Sequence, residues 1–108
     1  MSDLRPRVRL PRSASAGSSV QVRTLINHEM ESGTRRDGSG AVIPRHLIHR
    51  FTCDYNDVRV IDVEFDTGVS ANPYLEFEAI VPESGEFLFT WYEDGGAVHT
   101  HRQAFEVS

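Results

Sequence analysis

The chain has 108 residues, a length that suits one domain, and 39% of them are hydrophobic and 25% charged. This balance excludes intrinsic disorder, and a single cysteine excludes an internal disulfide. The net charge of −5 argues against nucleic acid as a partner, and no apolar run approaches the roughly 20 residues that cross a bilayer. We therefore expect one globular domain over residues 1–108, with a flexible arm at residues 1–6, no secretory signal and no membrane association.

Short segments in which apolar and polar residues alternate, bounded by Gly, Pro, Asn and Asp, predict β-strands. The first four predicted strands are residues 7–10, 20–26, 47–55 and 58–65. Residues 13–19 are small and are predicted to form a loop, and Asn56-Asp57 is predicted to be a tight hairpin turn. Residues 67–73 form a connection in which Pro73 is expected to hold Asn72 extended.

Three more strands are predicted at residues 75–81, 86–93 and 98–107. About seven short strands in about a hundred residues predict an all-β fold, an immunoglobulin-like β-sandwich of about seven antiparallel strands. The residues expected in its core lie on the apolar side of alternating segments: Val22, Val63, Phe77, Phe89 and Trp91.

Residues 28–45 form an eighteen-residue connection in a chain whose other predicted loops are short. Its charges have both signs, with Glu29, Glu31 and Asp37 against Arg35, Arg36 and Arg45. Long loops in compact domains are usually functional or disordered. The sequence therefore points to this connection first as a partner surface.

Charge is distributed unevenly along the chain. Residues 1–50 hold nine arginines and four acidic residues, whereas residues 51–108 hold two arginines and twelve acidic residues. This asymmetry predicts a basic and an acidic surface, which would orient a protein partner. Composition bias is the alternative explanation, because the chain has no lysine.

No set of residues predicts an active site. Cys53 and His49 are four apart on a predicted strand, about 13 Å by the strand rise, which is too far for a nucleophile and its base. Cys53 is therefore interpreted as a buried apolar residue, with a partner contact or a mixed disulfide as the alternative. Acidic pairs such as Asp62 with Glu64 alternate outward on strands and are interpreted as solvated.

His99 and His101 lie two apart on the last predicted strand and so share one face. Such a pair can supply two metal ligands, but the spacing of the other histidines and carboxylates does not fix a third. Solvent-facing or interface histidines are the alternative interpretation. We expect no metal site and no cofactor, and keep a small metal-binding or electron-transfer protein using His99 and His101 as the second hypothesis.

Several short motifs, in order and spacing from about Arg7 to the C-terminus, make the chain resemble the SoxZ family. They are His28 and Met30 before Gly33, Arg35-Arg36-Asp37, Ile43-Pro44, Phe51-Thr52-Cys53, Asn72-Pro73-Tyr74 and Phe89-Thr90-Trp91. The resemblance implies a non-catalytic subunit of the SoxYZ sulfur-carrier complex of thiosulfate oxidation. Its partner SoxY carries sulfur intermediates on a cysteine in a flexible, glycine-rich C-terminal arm, and this chain ends without such a tail.

The resemblance also implies where the chain works and what it contacts. We expect a periplasmic protein, exported as a passenger of SoxY, that binds SoxY in a heterodimer or higher assembly and meets other Sox enzymes transiently. The residues expected to bind SoxY lie in the long connection and its flanks: His28, Met30, Arg35, Arg36, Asp37 and Pro44.

Overall fold

The structure, a computed structural model, describes residues 6–28, 30–65 and 71–108. Within these ranges the chain forms eight strands: β1 (Arg7–Arg9), β2 (Ser13–Ala14), β3 (Ser18–Leu25), β4 (Ile48–Tyr55), β5 (Val58–Glu64), β6 (Tyr74–Val81), β7 (Gly85–Glu93) and β8 (Val98–Val107). They make a three-stranded sheet in the order β1-β3-β6 and a five-stranded sheet in the order β2-β8-β7-β4-β5. The described residues contain no helix long and apolar enough to span a bilayer.

The core lies between the two sheets, and the alternation of apolar residues creates it. Strand β3 contributes Val20 and Val22, and β6 contributes Ala79 and Val81, all of them buried. The five-stranded sheet contributes a block of aromatic side chains: Phe51, Tyr55, Phe87, Phe89, Trp91 and Phe105. The predicted immunoglobulin-like β-sandwich is thereby confirmed.

Phe51 of β4 is the centre of the aromatic block. Its ring centroid lies 5.1 Å from that of Trp91 and 6.4 Å from that of Phe89, its neighbours on β7. Across the sandwich, the centroid of Phe77 of β6 lies 6.0 Å away. Aromatic pairs at these separations add about 0.5–1.5 kcal/mol each beyond their burial. Phe51 therefore joins both sheets.

Burial of the predicted core follows the position of each strand in its sheet. Val22, Phe89 and Trp91 are buried as predicted. Phe77 and Val63 are only partly buried, so for these two the prediction of a buried side chain was wrong. Both lie on strands at the edge of a sheet, β6 and β5, where the absence of a neighbouring strand on one side leaves inward side chains partly open to water.

Residues 13–19 do not form a simple loop. Ser13 and Ala14 make β2, which pairs in parallel with Glu106 and Val107 of β8, and this is the one parallel pairing among the described strands. A two-residue strand shows no alternation, so the sequence pattern could not reveal it. The remaining strand pairs are antiparallel as predicted.

Asn72 is not extended, contrary to the prediction from Pro73. Its φ is +54°, in the left-handed region that Asn tolerates better than most residues. The N–H of Asn72 donates to the carbonyl of His28 at 2.7 Å, and its Oδ1 accepts the N–H of His28 at 2.9 Å. This paired contact outweighs the local preference of the residue before proline. Of the predicted connection 67–73, residues 67–70 lie outside the described residues, as do residues 1–5 of the predicted N-terminal arm.

The hairpin between β4 and β5 is confirmed. Asn56 and Asp57 have φ values of +49° and +66°, both positive as a type I′ turn requires. The side-chain Oδ1 of Asn56 also accepts the N–H of Glu86 at 3.0 Å, which ties the turn to β7.

The unequal charges of the two halves of the chain partly neutralise each other. Arg23 of β3 lies 3.8 Å from Glu76 of β6, and Arg50 of β4 lies 2.6 Å from Asp62 of β5. Both pairs join an arginine of the first half to an acidic residue of the second half on the neighbouring strand, β6 beside β3 and β5 beside β4. At these positions, positively and negatively charged side chains therefore lie opposite each other on neighbouring strands.

Truncating Phe51 should destabilise the fold severely. Phe51→Ala opens a cavity between the sheets and should cost about 3–5 kcal/mol of the free energy of unfolding. Ile80→Ala is the control, because Ile80 is on the exposed face of β6 and its loss should stay within about 0.5 kcal/mol. Urea unfolding followed by the fluorescence of the single Trp91 measures both, and a Phe51→Ala cost below about 1 kcal/mol would contradict this core.

Candidate functional site

The long connection between β3 and β4 is an ordered structure folded back on itself. We refer to residues 26–47, apart from Glu29, which lies outside the described residues, as the β3–β4 connection. The backbones of Glu31 and His46 exchange N–H to carbonyl hydrogen bonds of 2.9 and 2.8 Å. Further out, the N–H of Ile43 donates to the carbonyl of Arg35 at 2.8 Å. These hydrogen bonds hold the first and second halves of the connection together as a short irregular hairpin.

Asp37 closes the tip of this hairpin. Its Oδ1 accepts the N–H and the hydroxyl of Ser39 at 2.9 and 2.6 Å and the N–H of Ala41 at 3.1 Å. These donors, led by the hydroxyl of Ser39, lower the pKa of Asp37. The Asp37 carboxylate is therefore committed to holding the turn.

Two ion pairs fix the base of the connection. Glu31 accepts a forked hydrogen bond from Arg35, which lowers the pKa of Glu31. Arg45 reaches Asp94, in the β7–β8 turn, with Nε and one terminal nitrogen at 2.8 and 3.0 Å. Asp94 Oδ2 also accepts the N–H of Leu47 at 3.0 Å. The forked pairing with Arg45 lowers the pKa of Asp94 to about 2.

Beneath these pairs, the carboxylate of Glu93 meets three imidazole rings. Its Oε2 lies 2.9 Å from His28 Nε2 and 2.7 Å from His46 Nε2, and its Oε1 lies 2.7 Å from His99 Nε2. We call these four residues the histidine cluster. Burial by itself raises the pKa of Glu93, but hydrogen bonds from His99 and His28 and the nearby charge of His46 outweigh it and lower the pKa.

The hydrogen bonds of His28 fix its tautomer. His28 Nδ1 accepts the N–H of Met30 at 2.9 Å, so the proton of the neutral ring is on Nε2 and points at Glu93. Met30 in turn has a φ of +56°, and its sulfur accepts the N–H of Ile48 at 3.3 Å. Met30 thus fastens the start of the connection to the start of β4.

The structure divides the six residues predicted to bind a partner into two groups. His28 and Met30 are buried and hold the base of the connection. Arg35, Arg36, Asp37 and Pro44 are exposed along its outer part. Arg36 donates to the carbonyl of Gly40 at 2.8 Å and leaves much of its guanidinium edge to solvent. Partner binding by all six stays a prediction.

His99 and His101 do share a face, as predicted, but they have different partners. They pair with Trp91 and Phe89 on β7, so both point to the inner face and both are half-buried. His99 binds Glu93, whereas His101 lies 3.2 Å from Gln103 Oε1. Only His99 joins the histidine cluster.

Sequence reasoning missed Glu93 and Asp94 as site residues. The sequence pattern predicts Glu93 only as the end of a strand and Asp94 only as the start of a turn. The two lie next to each other in sequence, yet each binds residues from the β3–β4 connection, more than 45 positions away. The one usable signal was an acidic pair at a strand end opposite a connection rich in histidine and arginine.

Cys53 is fully buried in β4. Burial, and secondarily the neighbouring Asp54 carboxylate, raise the pKa of its thiol to about 12. A thiol in this environment is a poor nucleophile at neutral pH. The interpretation of Cys53 as a buried apolar residue is confirmed.

Comparison with known proteins identifies the family. The model of the family described as sulphur oxidation protein SoxZ matches residues 8–104. The chain belongs to the SoxZ family. No curated protein gives a significant match to this member of the SoxZ family.

Solved structures share the fold of this SoxZ family member at low sequence identity. A superoxide reductase (neelaredoxin) from Ignicoccus hospitalis, in its T24K form, superposes with a TM-score of 0.75 at 20% identity, covering 95% of this chain and 79% of its own. The sulfur carrier protein SoxY from Chlorobium limicola f thiosulfatophilum superposes with a TM-score of 0.64 at 8% identity, covering 94% of this chain and 74% of its own. A second form of the Ignicoccus hospitalis enzyme gives a TM-score of 0.71 at 19% identity, with coverages of 95% and 80%.

Cys53 should be unreactive in the folded chain. With its pKa near 12, the thiolate fraction at pH 8 is about a thousandfold below that of an ordinary cysteine, and burial adds a steric barrier. Iodoacetamide labelling at pH 8, followed by mass spectrometry, should leave native protein unmodified for hours and label it fully in guanidinium chloride. Labelling of the native chain within minutes would show that Cys53 is accessible.

Proposed function

We propose that this chain is the non-catalytic subunit of a SoxYZ sulfur-carrier complex, binding SoxY and helping to present its sulfur-carrying cysteine arm during thiosulfate oxidation. The single observation that carries this proposal is the match to the SoxZ family model over residues 8–104. The partner is SoxY in a heterodimer or higher assembly, and other Sox enzymes approach the complex transiently. The place of action is the periplasm, which the chain reaches as a passenger of SoxY.

The proposed role needs a binding surface and no reactive group of its own. The one thiol of the chain is buried in β4. In the histidine cluster the Glu93 carboxylate is occupied by three imidazoles. In this proposal, the covalent chemistry is left to the cysteine of SoxY.

The outer part of the β3–β4 connection is the proposed contact with SoxY. Arg36, Val42 and Pro44 are exposed there, and Val42 keeps 51% of its surface in solvent. An arginine beside exposed apolar groups is the composition favoured at the centre of protein interfaces. The guanidinium can pair with a partner carboxylate or with the anionic groups of a sulfur-carrying arm.

The internal hydrogen bonds of the connection support this assignment. A loop that is ordered before binding loses less conformational entropy when it docks. The Asp37 turn and the Arg45 to Asp94 ion pair hold Arg36 and Val42 on a fixed support. Arg35 is bound to the nearly buried Glu31, so its removal would also disturb the base of the connection.

The test is the affinity of the full chain for SoxY with two substitutions at the outer part of the connection. Arg36→Ala combined with Val42→Asp should cost about 2 kcal/mol, a rise in Kd of roughly thirtyfold, with the free energy of unfolding unchanged. Isothermal titration calorimetry at low and physiological salt measures this directly. Arg35 is left intact because of its bond to Glu31.

Matched control variants are available on the same chain. Arg102 lies on β8 and pairs with exposed Glu86, and Val58 follows the hairpin at the opposite end of β4. Arg102→Ala combined with Val58→Asp should leave the affinity within about twofold. An unchanged Kd in the connection variant would refute this surface, and failure of the unmodified chain to bind SoxY would refute the proposed function itself.

A further inference from the structure

The histidine cluster brings together side chains of four separate segments. His28 follows β3, His46 precedes β4, Glu93 ends β7 and His99 lies in β8. His28 Nε2, His46 Nε2 and a Glu93 carboxylate oxygen all lie within 4.8 Å of one another. Two ligand atoms bound about 2.1 Å from one tetrahedral ion are about 3.4 Å apart. To seat an ion, each imidazole nitrogen would move about 0.5–0.7 Å further from the carboxylate oxygen, and the two nitrogens would come to about 3.4 Å from each other.

The chemical types of the three ligand atoms indicate which metal ions the site would bind. Two imidazole nitrogens with one carboxylate oxygen suit zinc and first-row transition metals such as iron(II) and cobalt(II). Calcium and magnesium prefer a shell built of oxygen ligands alone. The Glu93 carboxylate lies at a position that is 6% exposed, and a divalent cation bound to it would compensate its negative charge directly.

We propose that His28, His46 and Glu93 bind one divalent transition-metal ion, with Glu93 coordinating through Oε2. This inference goes beyond the proposed function and does not depend on it. It revises the expectation that the chain has no metal site, and it differs from the second sequence hypothesis in its ligands. His99 takes a supporting role in place of ligation, and His101 has none.

His99 would position the carboxylate. It holds Oε1 at 2.7 Å, which leaves Oε2 directed at His28 and His46. Ligating carboxylates are commonly fixed by such hydrogen bonds to the oxygen that does not bind the metal. The side chain of His28 is 4% exposed and closes the site on the inner side, whereas that of His46 is 55% exposed and leaves a path for the ion and a coordination position for water.

Metal binding would break one hydrogen bond at His28, and the loss of that bond can be detected. Coordination through Nε2 would move the ring proton of His28 to Nδ1. In the metal-free chain Nδ1 accepts the N–H of Met30. That hydrogen bond must break when the ion binds. The amide of Met30 should therefore report occupancy, independently of any measure of affinity.

The experiment uses the full, untagged chain without SoxY, because the cysteine of a carrier protein would itself bind zinc. Titration with Zn²⁺ should give one ion per chain and raise the thermal midpoint. Co²⁺ should give visible absorption bands of a site with nitrogen and oxygen ligands. Mg²⁺ should bind at least about a hundredfold more weakly than Zn²⁺. The Met30 amide resonance should shift with the Zn²⁺ titration.

His46→Ala separates this site from binding at other histidines. His46 is largely exposed, so its removal should leave the chain folded while weakening Zn²⁺ binding at least about a hundredfold. His101→Ala is the matched control, since it removes a histidine from the same sandwich without touching the cluster, and it should bind Zn²⁺ like the unmodified chain.

Two results would overturn the proposal. One is the absence of Zn²⁺ and Co²⁺ binding to the unmodified chain at about 100 µM ion, which would leave the cluster as a set of hydrogen bonds only. The other is equal Zn²⁺ affinity in His46→Ala and the unmodified chain, which would place the bound ion elsewhere. Neither result bears on whether the chain binds SoxY, so the two proposals fail separately.

Discussion

The burial of the Glu93 carboxylate is the constraint on which the arrangement of the site depends. An ionised group out of water is costly unless polar groups surround it, and here His28 and His99 hydrogen-bond to the carboxylate while His46 Nε2 lies 2.7 Å from it. Satisfying this one charge fixes the start of the β3–β4 connection through His28 and its end through His46. Asp94, the next residue, secures the same end through Arg45. The outer part of the connection is exposed on a support that these contacts keep in place.

Alternation of apolar and polar residues was sufficient to predict most of the fold. It located the long strands because each has one face in the core, as Val20 and Val22 do in β3. It failed where local pattern does not decide the structure. Ser13 and Ala14 form a strand only because β8 is beside them, and Asn72 is left-handed because its side chain and amide bind His28. Edge position, which limits the burial of Val63, is likewise a property of the assembled sheet.

The candidate site was predictable only in part. The length and charge of the connection identified the segment, and the spacing of His99 and His101 suggested metal ligands on β8. The sequence could not show that His99 joins Glu93 while His101 turns to Gln103, nor that His28 and His46 reach the same carboxylate. Those contacts join residues up to 65 positions apart, and only the packing of the two sheets brings them together.

Amide hydrogen exchange in a Glu93→Ala variant tests most directly whether this carboxylate holds the connection. An alanine removes both carboxylate oxygens, so the contacts at His28, His46 and His99 are all lost. The backbone N–H groups of Glu31 and His46, each bound to the other residue's carbonyl, should then exchange at least about tenfold faster. The backbone N–H groups that pair β3 with β6 should exchange as slowly as in the unmodified chain. Unchanged exchange at Glu31 and His46 would contradict the central role given to Glu93.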